Sequence, residues 1–256
     1  MKTYSADYLR RSRRGMWDEG LSEYVDVSDV DSALDVGCGE GSLTRALSRH
    51  AADVVGVDFD VSHLRSLGFA GVVGDALSLP FEPSSFDVVG CQALLVNLVE
   101  PRGAVDEMLR VSSDRVLVVE PDNHAAEVTS TVDGEAALAE RSRRRFVRGT
   151  DSRAGLGSDV VDVLGDAGGD VVGHSVHRQT TAVEPPYTDA DLEAVARRTR
   201  GEAFGGREFT VPQEELDALR DEWRDVGRRA ARQMSEAVYR RRDVVPFHVV
   251  VAEPPA

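Results

Sequence analysis

The chain has 256 residues, 45 acidic against 30 basic side chains, and a formal net charge of −15. That length suits one α/β domain with additions or two small domains, and 41% hydrophobic with 29% charged residues excludes wholesale disorder. No apolar run approaches the ~18 residues a membrane span needs, and two cysteines, Cys38 and Cys91, are too few for a disulfide framework or a zinc cluster.

Met1 to Trp17 carries four arginines and Lys2 without an apolar core, which is not the pattern of a secretory leader. A reduced, cytoplasmic compartment is therefore expected. Ser32–Val36 is a short apolar run ending in Gly37-Cys-Gly-Glu-Gly41. Ser42 to His50 follows with Leu43, Ala46 and Leu47 at helical spacing. Asp53–Val57 reads as a second strand, Val61–Leu67 as a helix and Gly71–Val73 as a third strand. Phe86–Gly90 reads as a fourth, Arg102–Arg110 as a helix and Arg115–Val119 as a fifth. Strands alternating with helices predict an open, mostly parallel sheet that binds its ligand at the strands' carboxyl ends.

Further on, Asp159–Ala167 reads as a helix capped by Ser158 and ended by Gly168-Gly169. Asp170–Arg178 is a strand, Asp189–Arg200 and Gln213–Arg242 are helices, and Val244–Ala252 is a final strand. Leu216, Leu219, Trp223, Val226, Ala230 and Met234 recur at three- and four-residue intervals, an apolar stripe expected to pack against the domain. Roughly sixty residues between the last two strands predict a helical insertion roofing the active site, since loops of that length without structure are rare.

The strongest chemical signal is Leu34-Asp-Val-Gly-Cys-Gly-Glu-Gly41. Glycines reach positive φ and let a ligand approach the main chain, while the following helix start offers free N–H groups. A dinucleotide fingerprint requires G-x-G-x-x-G. Here the spacing is G-x-G-x-G, with Ser42 at the third glycine's place and Asp35 where an apolar residue is usual, so a nicotinamide oxidoreductase is disfavoured.

This motif resembles the glycine-rich turn of the class I S-adenosylmethionine-dependent methyltransferases, within them the group that includes quinone methyltransferases. Three further landmarks follow in order: Asp58 closing Val54-Val-Gly-Val-Asp58, Asp75 in Gly74-Asp75-Ala76, and Phe86-Asp-Val-Val followed by Cys91-Gln92-Ala93. The resemblance covers Leu34 to about Val119, a third of the chain. It implies a Rossmann-like, mostly parallel seven-stranded sheet with helices on both faces and a helical insertion before the last strand. It implies S-adenosyl-L-methionine as cofactor, no metal, and a turn of Asp35, Gly37, Cys38, Gly39 and Gly41 around its methionine and ribose. Asp58, beside Phe59, would accept the ribose hydroxyls. Asp75 and Ala76 would meet the adenine, and Gln92 the methionine end. Tyr8, Arg13 and Trp17, with Arg14, would belong to a lid over the cofactor; a solvated basic segment with Trp17 packed on the sheet edge is the other reading. Asp35 has two open readings, ligand contact and ordering of the turn. The expected organisation is one domain over 1–256: lid segment 1–31, cofactor core 32–120, substrate-side elaboration and sixth strand 121–183, helical insertion 184–243, last strand and tail 244–256.

Methyl transfer needs alignment of donor and acceptor above all, and a general base only where the acceptor holds its proton. His124, Glu120 and Asn97 are the candidates for catalytic roles, each with a loop or capping role as its alternative. The expected acceptor is a small molecule. A protein or nucleic-acid methyltransferase and a non-catalytic cofactor sensor are the alternatives. Nucleic acid is disfavoured by the net charge and by the absence of a basic stripe with interleaved aromatics. Arg141, Arg143, Arg144, Arg145 and Arg148 form a cluster that either grips an anion or pairs with the acidic surface.

The composition is skewed as well. Lys2 is the only lysine, isoleucine is absent, and 26 residues are aspartate. A GC-rich genome explains the first two but not the acid excess. Acidic, lysine-poor surfaces resemble those of extreme halophiles, because molar salt cuts the Debye length to about 3 Å and makes a self-repelling surface tolerable. A salt-adapted protein is expected to melt higher in molar than in dilute KCl; equal melting temperatures would exclude that adaptation.

Overall fold

The computed structural model describes residues 16–17, 20–65, 68–148, 153, 155–202 and 212–255. The chain divides into two compact units, not one: described residues within 1–122, 152–179 and 246–256 form the first, and those within 123–151 and 180–245 the second. The described residues within 123–151 and those within 180–245 thus fall in the same unit.

In the first unit, five parallel strands lie in the order β3-β2-β1-β4-β5: β1 (Ser32–Val36), β2 (Asp53–Asp58), β3 (Ala70–Val73), β4 (Phe86–Gln92) and β5 (Ser112–Pro121). β8 (Arg241–Glu253) runs antiparallel to β5, with Glu120 opposite His248 and Pro121 opposite Phe247, and β7 (Asp170–Val183) pairs with β8. Helices cover both faces. On one, Leu34, Val36, Val89, Cys91, Val116, Val118, Val250 and Ala252 meet α3 (Arg102–Val111) and α5 (Val160–Asp166) through Ala104, Val105, Met108, Val160 and Leu164. Period-two alternation sends these strand side chains to one face. α1 (Ser42–Leu47) packs against β1, β2 and β4, and Leu43 comes so near β4 that a Cβ on Gly90 would lie 3.0 Å from its Cδ2. Central strands are thus buried on both faces, which is why they read as nearly continuous apolar runs. α2 is short, Val61–Leu64, capped by Asp60 through the Ser62 N–H. The expected Ser158 cap is not made: a 3-10 turn, Gly157–Asp159, leads into α5 without a side-chain cap.

The second unit holds α4 (Glu135–Arg148), α6 (Asp189–Thr199), α7 (Gln213–Ser235) and β6 (Glu127–Ser130), whose Glu127–Ser130 pair antiparallel with Val244–Arg241. β6 is an eighth strand, unforeseen because four residues of alternating exposure in a polar stretch carry almost no apolar signal. α6 starts with a full capping box, Thr188 with Asp191. The α7 stripe is a core as expected, but of this unit: Leu219, Trp223, Val226, Ala230 and Met234 pack with Val132, Leu138, Val195 and Tyr239. Gly227 lets α7 close on α6, since a Cβ there would sit 2.8 Å from the Thr199 nitrogen.

Glu135 is fully buried in this unit and its carboxylate is saturated. Oε1 accepts from Arg241 Nη1 at 2.6 Å, Arg198 Nη1 at 2.8 Å and the Tyr239 hydroxyl at 3.0 Å; Oε2 accepts from Ser130 at 2.6 Å. Both guanidinium groups also lie over the Trp223 ring, at 5.3 and 5.9 Å. The clustered arginines take the surface role: Arg141 pairs with Glu222, Arg144 with Glu140 and Arg145 with Glu215. Along α7, Arg220, Arg224 and Arg228 each pair with the aspartate three residues earlier. Exposed pairs of this kind add little stability, about 0–1 kcal/mol each, but they give Arg141, Arg144 and Arg145 acidic partners on the surface.

Candidate active site

At the carboxyl end of β1 the chain enters the glycine turn with Gly37, Gly39 and Gly41 at φ +70°, +52° and +81°, a region glycine occupies without strain. The turn is sewn to β2, because the Gly37 and Cys38 N–H groups both donate to the Val57 carbonyl, at 2.8 and 2.9 Å. Asp58, 6% exposed, completes the stitching: Oδ2 accepts from the Gly39 N–H at 2.9 Å and Oδ1 from the Asp60 N–H at 2.9 Å. His63 Nδ1 approaches Asp58 Oδ2 at 3.4 Å. Each carboxylate oxygen has two lone pairs, so Asp58 keeps acceptor capacity toward a ligand. Asp35 is buried and its Oδ2 accepts from the Thr44 hydroxyl at 2.6 Å, tying the end of β1 to α1.

A cleft of about 680 Å³ is lined by Phe59, Val73, Gly74, Asp75, Leu77 and the run Asn97–Glu100. Phe59, Val73, Leu77 and Val99 are 40%, 59%, 49% and 60% exposed there. Apolar side chains left open to solvent in a cleft that also holds the Asp75 and Glu100 carboxylates mark a binding surface. Asp75 is held in a turn, with Oδ1 accepting from the Leu77 N–H at 3.0 Å. The structure therefore brings Phe59 and Asp75 to one cleft, while Asp58 is buried just before Phe59. Sequence reading missed Val73, Leu77 and Leu98–Glu100, which carry no mark separating them from ordinary strand ends and loop residues.

Other expected site residues are placed differently. Ala76 is buried in the core. Cys38 and Cys91 are buried, and both thiols are pushed far above their usual range: Cys38 by burial, then Asp35 and Asp58; Cys91 by burial, then Glu120 and Asp35. Neither is a nucleophile. Gln92 is buried and its Nε2 donates to Met16 Sδ at 2.7 Å. Trp17 packs as a core residue, edge-on to Tyr24 at 6.0 Å, with its carbonyl accepting from Arg49. Tyr8, Arg13 and Arg14 lie outside the described residues.

Glu120 is corrected from candidate base to loop anchor. It is fully buried, and its carboxylate accepts the Leu94, Leu95 and Val96 N–H groups at 2.9, 2.8 and 3.2 Å. This holds the turn after β4 that leads into the cleft residues. Leu94 in turn roofs the glycine turn. Asn97 lines the cleft, and its Nδ2 donates to the Ala93 carbonyl at 2.8 Å. His124 is exposed and belongs to the second unit. Among the described residues no cluster of three metal-ligating side chains is present, and no helix is long and apolar enough to cross a membrane.

Gly37→Ala is the sharpest local test of the turn. A Cβ there would lie 2.8 Å from Leu94 Cδ1 at a φ of +70°. We expect a loss of about 1–3 kcal/mol in stability and weakened ligand binding, read by thermal melting and calorimetry; Gly134→Ala, also at positive φ but in open space, is the strain-only control.

Residues 34–119 match the family described as methyltransferase domain. A demethylmenaquinone methyltransferase of Paenarthrobacter aurescens is 33% identical over 111 residues, 41% of this chain and 44% of that protein. A 2-phytyl-1,4-naphtoquinone methyltransferase of Thermosynechococcus vestitus is 32% identical over 116 residues, 41% of this chain and 52% of that protein. The chain thus spans about half the length of the curated relatives it matches. A crystal structure of a Bacillus halodurans protein assigned as a methyltransferase superposes with a TM-score of 0.54 at 20% identity, covering 88% of this chain and 93% of that one. At that identity the similarity is one of fold.

Proposed function

We propose, from a chain whose residues 34–119 belong to the class I S-adenosylmethionine-dependent methyltransferases, that it transfers a methyl group from that cofactor to a small-molecule acceptor by in-line displacement. The observation that carries this is the cleft lined by Phe59 and Asp75, with Asp58 preceding Phe59 in the chain and tied to the glycine turn through the Gly39 N–H. The residues fit the cofactor: Asp58 would hold the ribose hydroxyls, Asp75 the adenine amino group, and Phe59, Val73 and Leu77 its ring faces.

The bound cofactor supplies the activated methyl group; the protein's work is placement. Glu120 fixes the Leu94–Val96 turn, and through it the cleft wall at Asn97–Glu100. Asp58 couples the glycine turn to β2, so ribose contact and turn geometry are set together. Quinone-methylating relatives support a small aromatic acceptor. A cytoplasmic site of action and adaptation to molar salt are part of the same proposal, resting on the acid excess and the single lysine.

Calorimetry in molar KCl should show binding of S-adenosylmethionine and of its demethylated product, and none of NAD. Failure to bind either sulfur compound would overturn the reading. Binding without turnover of any acceptor in a metabolite extract would favour a sensor.

A further inference from the structure

Among the described strands β7 pairs with β8 alone, so one of its two edges meets no other strand. Natural sheets usually blunt such an edge with proline, lysine or a very short strand. This strand is 14 residues long and holds neither proline nor lysine. Its first part, Asp170 to Arg178, belongs to the first unit. Alternate residues of a strand share a face, and here one such set reads Asp170, Val172, His174, Val176, Arg178. All five are exposed, Val172 at 52% and Val176 at 49%. His174 stays exposed although its Nε2 meets His248 Nδ1 at 2.9 Å, a contact that steadies the ring.

That set is complementary to its own reverse. An antiparallel strand of identical sequence, centred on His174, sets Asp170 opposite Arg178 and Val172 opposite Val176, each of them twice. On the other face Gly173 comes opposite Ser175, so only small side chains meet beside the axis. A slip of two residues loses the match, because Asp170 then faces Val176 or Thr180 and the charges are left without opposites.

We propose that this edge is an interaction surface for a second copy of the chain, joined two-fold by antiparallel β7–β7 pairing about His174. Isologous pairing adds ladder bonds along both edges at once and closes at two copies, whereas an unprotected edge left open invites unlimited association. The charges select the occupant. The partner strand must bring an arginine to Asp170 and an aspartate to Arg178, with apolar residues between, and another copy supplies that order. Copies of net charge −15 repel one another at long range. Molar salt cuts the Debye length to about 3 Å, which removes that repulsion and leaves the directly opposed pairs as the main electrostatic contact.

Analytical ultracentrifugation of the full chain in molar KCl, over a concentration series, should show a reversible monomer–dimer equilibrium. Asp170→Arg sets arginine against arginine at both ends of the pairing and should weaken the dimer at least about tenfold. Arg178→Asp should do the same, and the two substitutions together should restore it, because the pairs are then merely exchanged. His174→Cys should give a disulfide-linked dimer on mild oxidation, since opposed Cα atoms in an antiparallel pair lie about 4.5–5.5 Å apart. Val172→Cys should not, because its two copies would stand four positions out of register, about 13 Å apart. Native Cys38 and Cys91 are buried and stay out of that reaction. Melting temperatures matching wild type show that these surface variants are folded. A monomer at every concentration would overturn the proposal. So would assemblies larger than a dimer, or a dimer that ignores both charge reversals and links through Val172→Cys.

Discussion

Asp58→Ala is expected to weaken S-adenosylmethionine binding at least tenfold. The ribose contact alone accounts for that, since hydrogen bonds to a charged group contribute about 1.5–3 kcal/mol, and each 1.4 kcal/mol is tenfold in affinity. The structure adds a second loss. The same carboxylate accepts the Gly39 and Asp60 N–H groups, so its removal also frees the glycine turn and the start of α2. Asp58→Asn should fall between wild type and alanine, because the amide oxygen keeps one acceptor site but not the charge. Calorimetry on variants whose melting temperatures match wild type would separate the binding loss from unfolding. Unchanged affinity in Asp58→Ala would remove the ribose assignment.

The largest expected stability effect is at Glu135. Glu135→Gln removes the charge that holds Arg198 and Arg241, leaving two guanidinium groups in the interior without their common partner. Breaking a buried ionic network in this way costs about 3–5 kcal/mol. The two tryptophans fall one in each unit, Trp17 in the first and Trp223 in the second. In a Trp17→Phe background, Trp223 fluorescence during urea unfolding therefore reports the second unit. A midpoint unchanged by Glu135→Gln would show that the network is dispensable.

The same group gives a pH dependence of known sign. Burial pushes the Glu135 carboxyl upward, but Arg241 and Arg198, with help from Ser130, outweigh it and hold it below its ordinary 4.5. A carboxylate lowered in the folded state stabilises above its unfolded value, and that contribution fades as pH falls toward the folded one. The Trp223 transition should therefore move to lower urea below about pH 4.5, and Glu135→Gln should flatten that dependence. Arg241 reinforces the point, since its bonds to Asp243 and Glu135 keep it protonated despite its burial.

Much of the first unit was legible in the chain because its determinants are local. β1 appears at its expected bounds, Ser32–Val36, since a strand buried on both faces must be apolar nearly throughout and its end is marked by glycines no other residue replaces cheaply. Asp75, singled out through the family resemblance, does line the cleft. What only the tertiary structure decided depends on contacts between distant segments. Glu120 looks like a candidate base until its side chain is seen taking three N–H groups from residues 94–96. Trp17, read either as part of a lid or as packed on the sheet edge, and Gln92 are buried against partners the sequence does not specify. His174 and His248 are 74 residues apart, yet their strands set their rings 2.9 Å from each other. Side-chain periodicity tells which face of an element is apolar. It does not tell which distant polar group a buried carboxylate or imidazole will meet, and that pairing sets whether the residue anchors, stabilises or reacts.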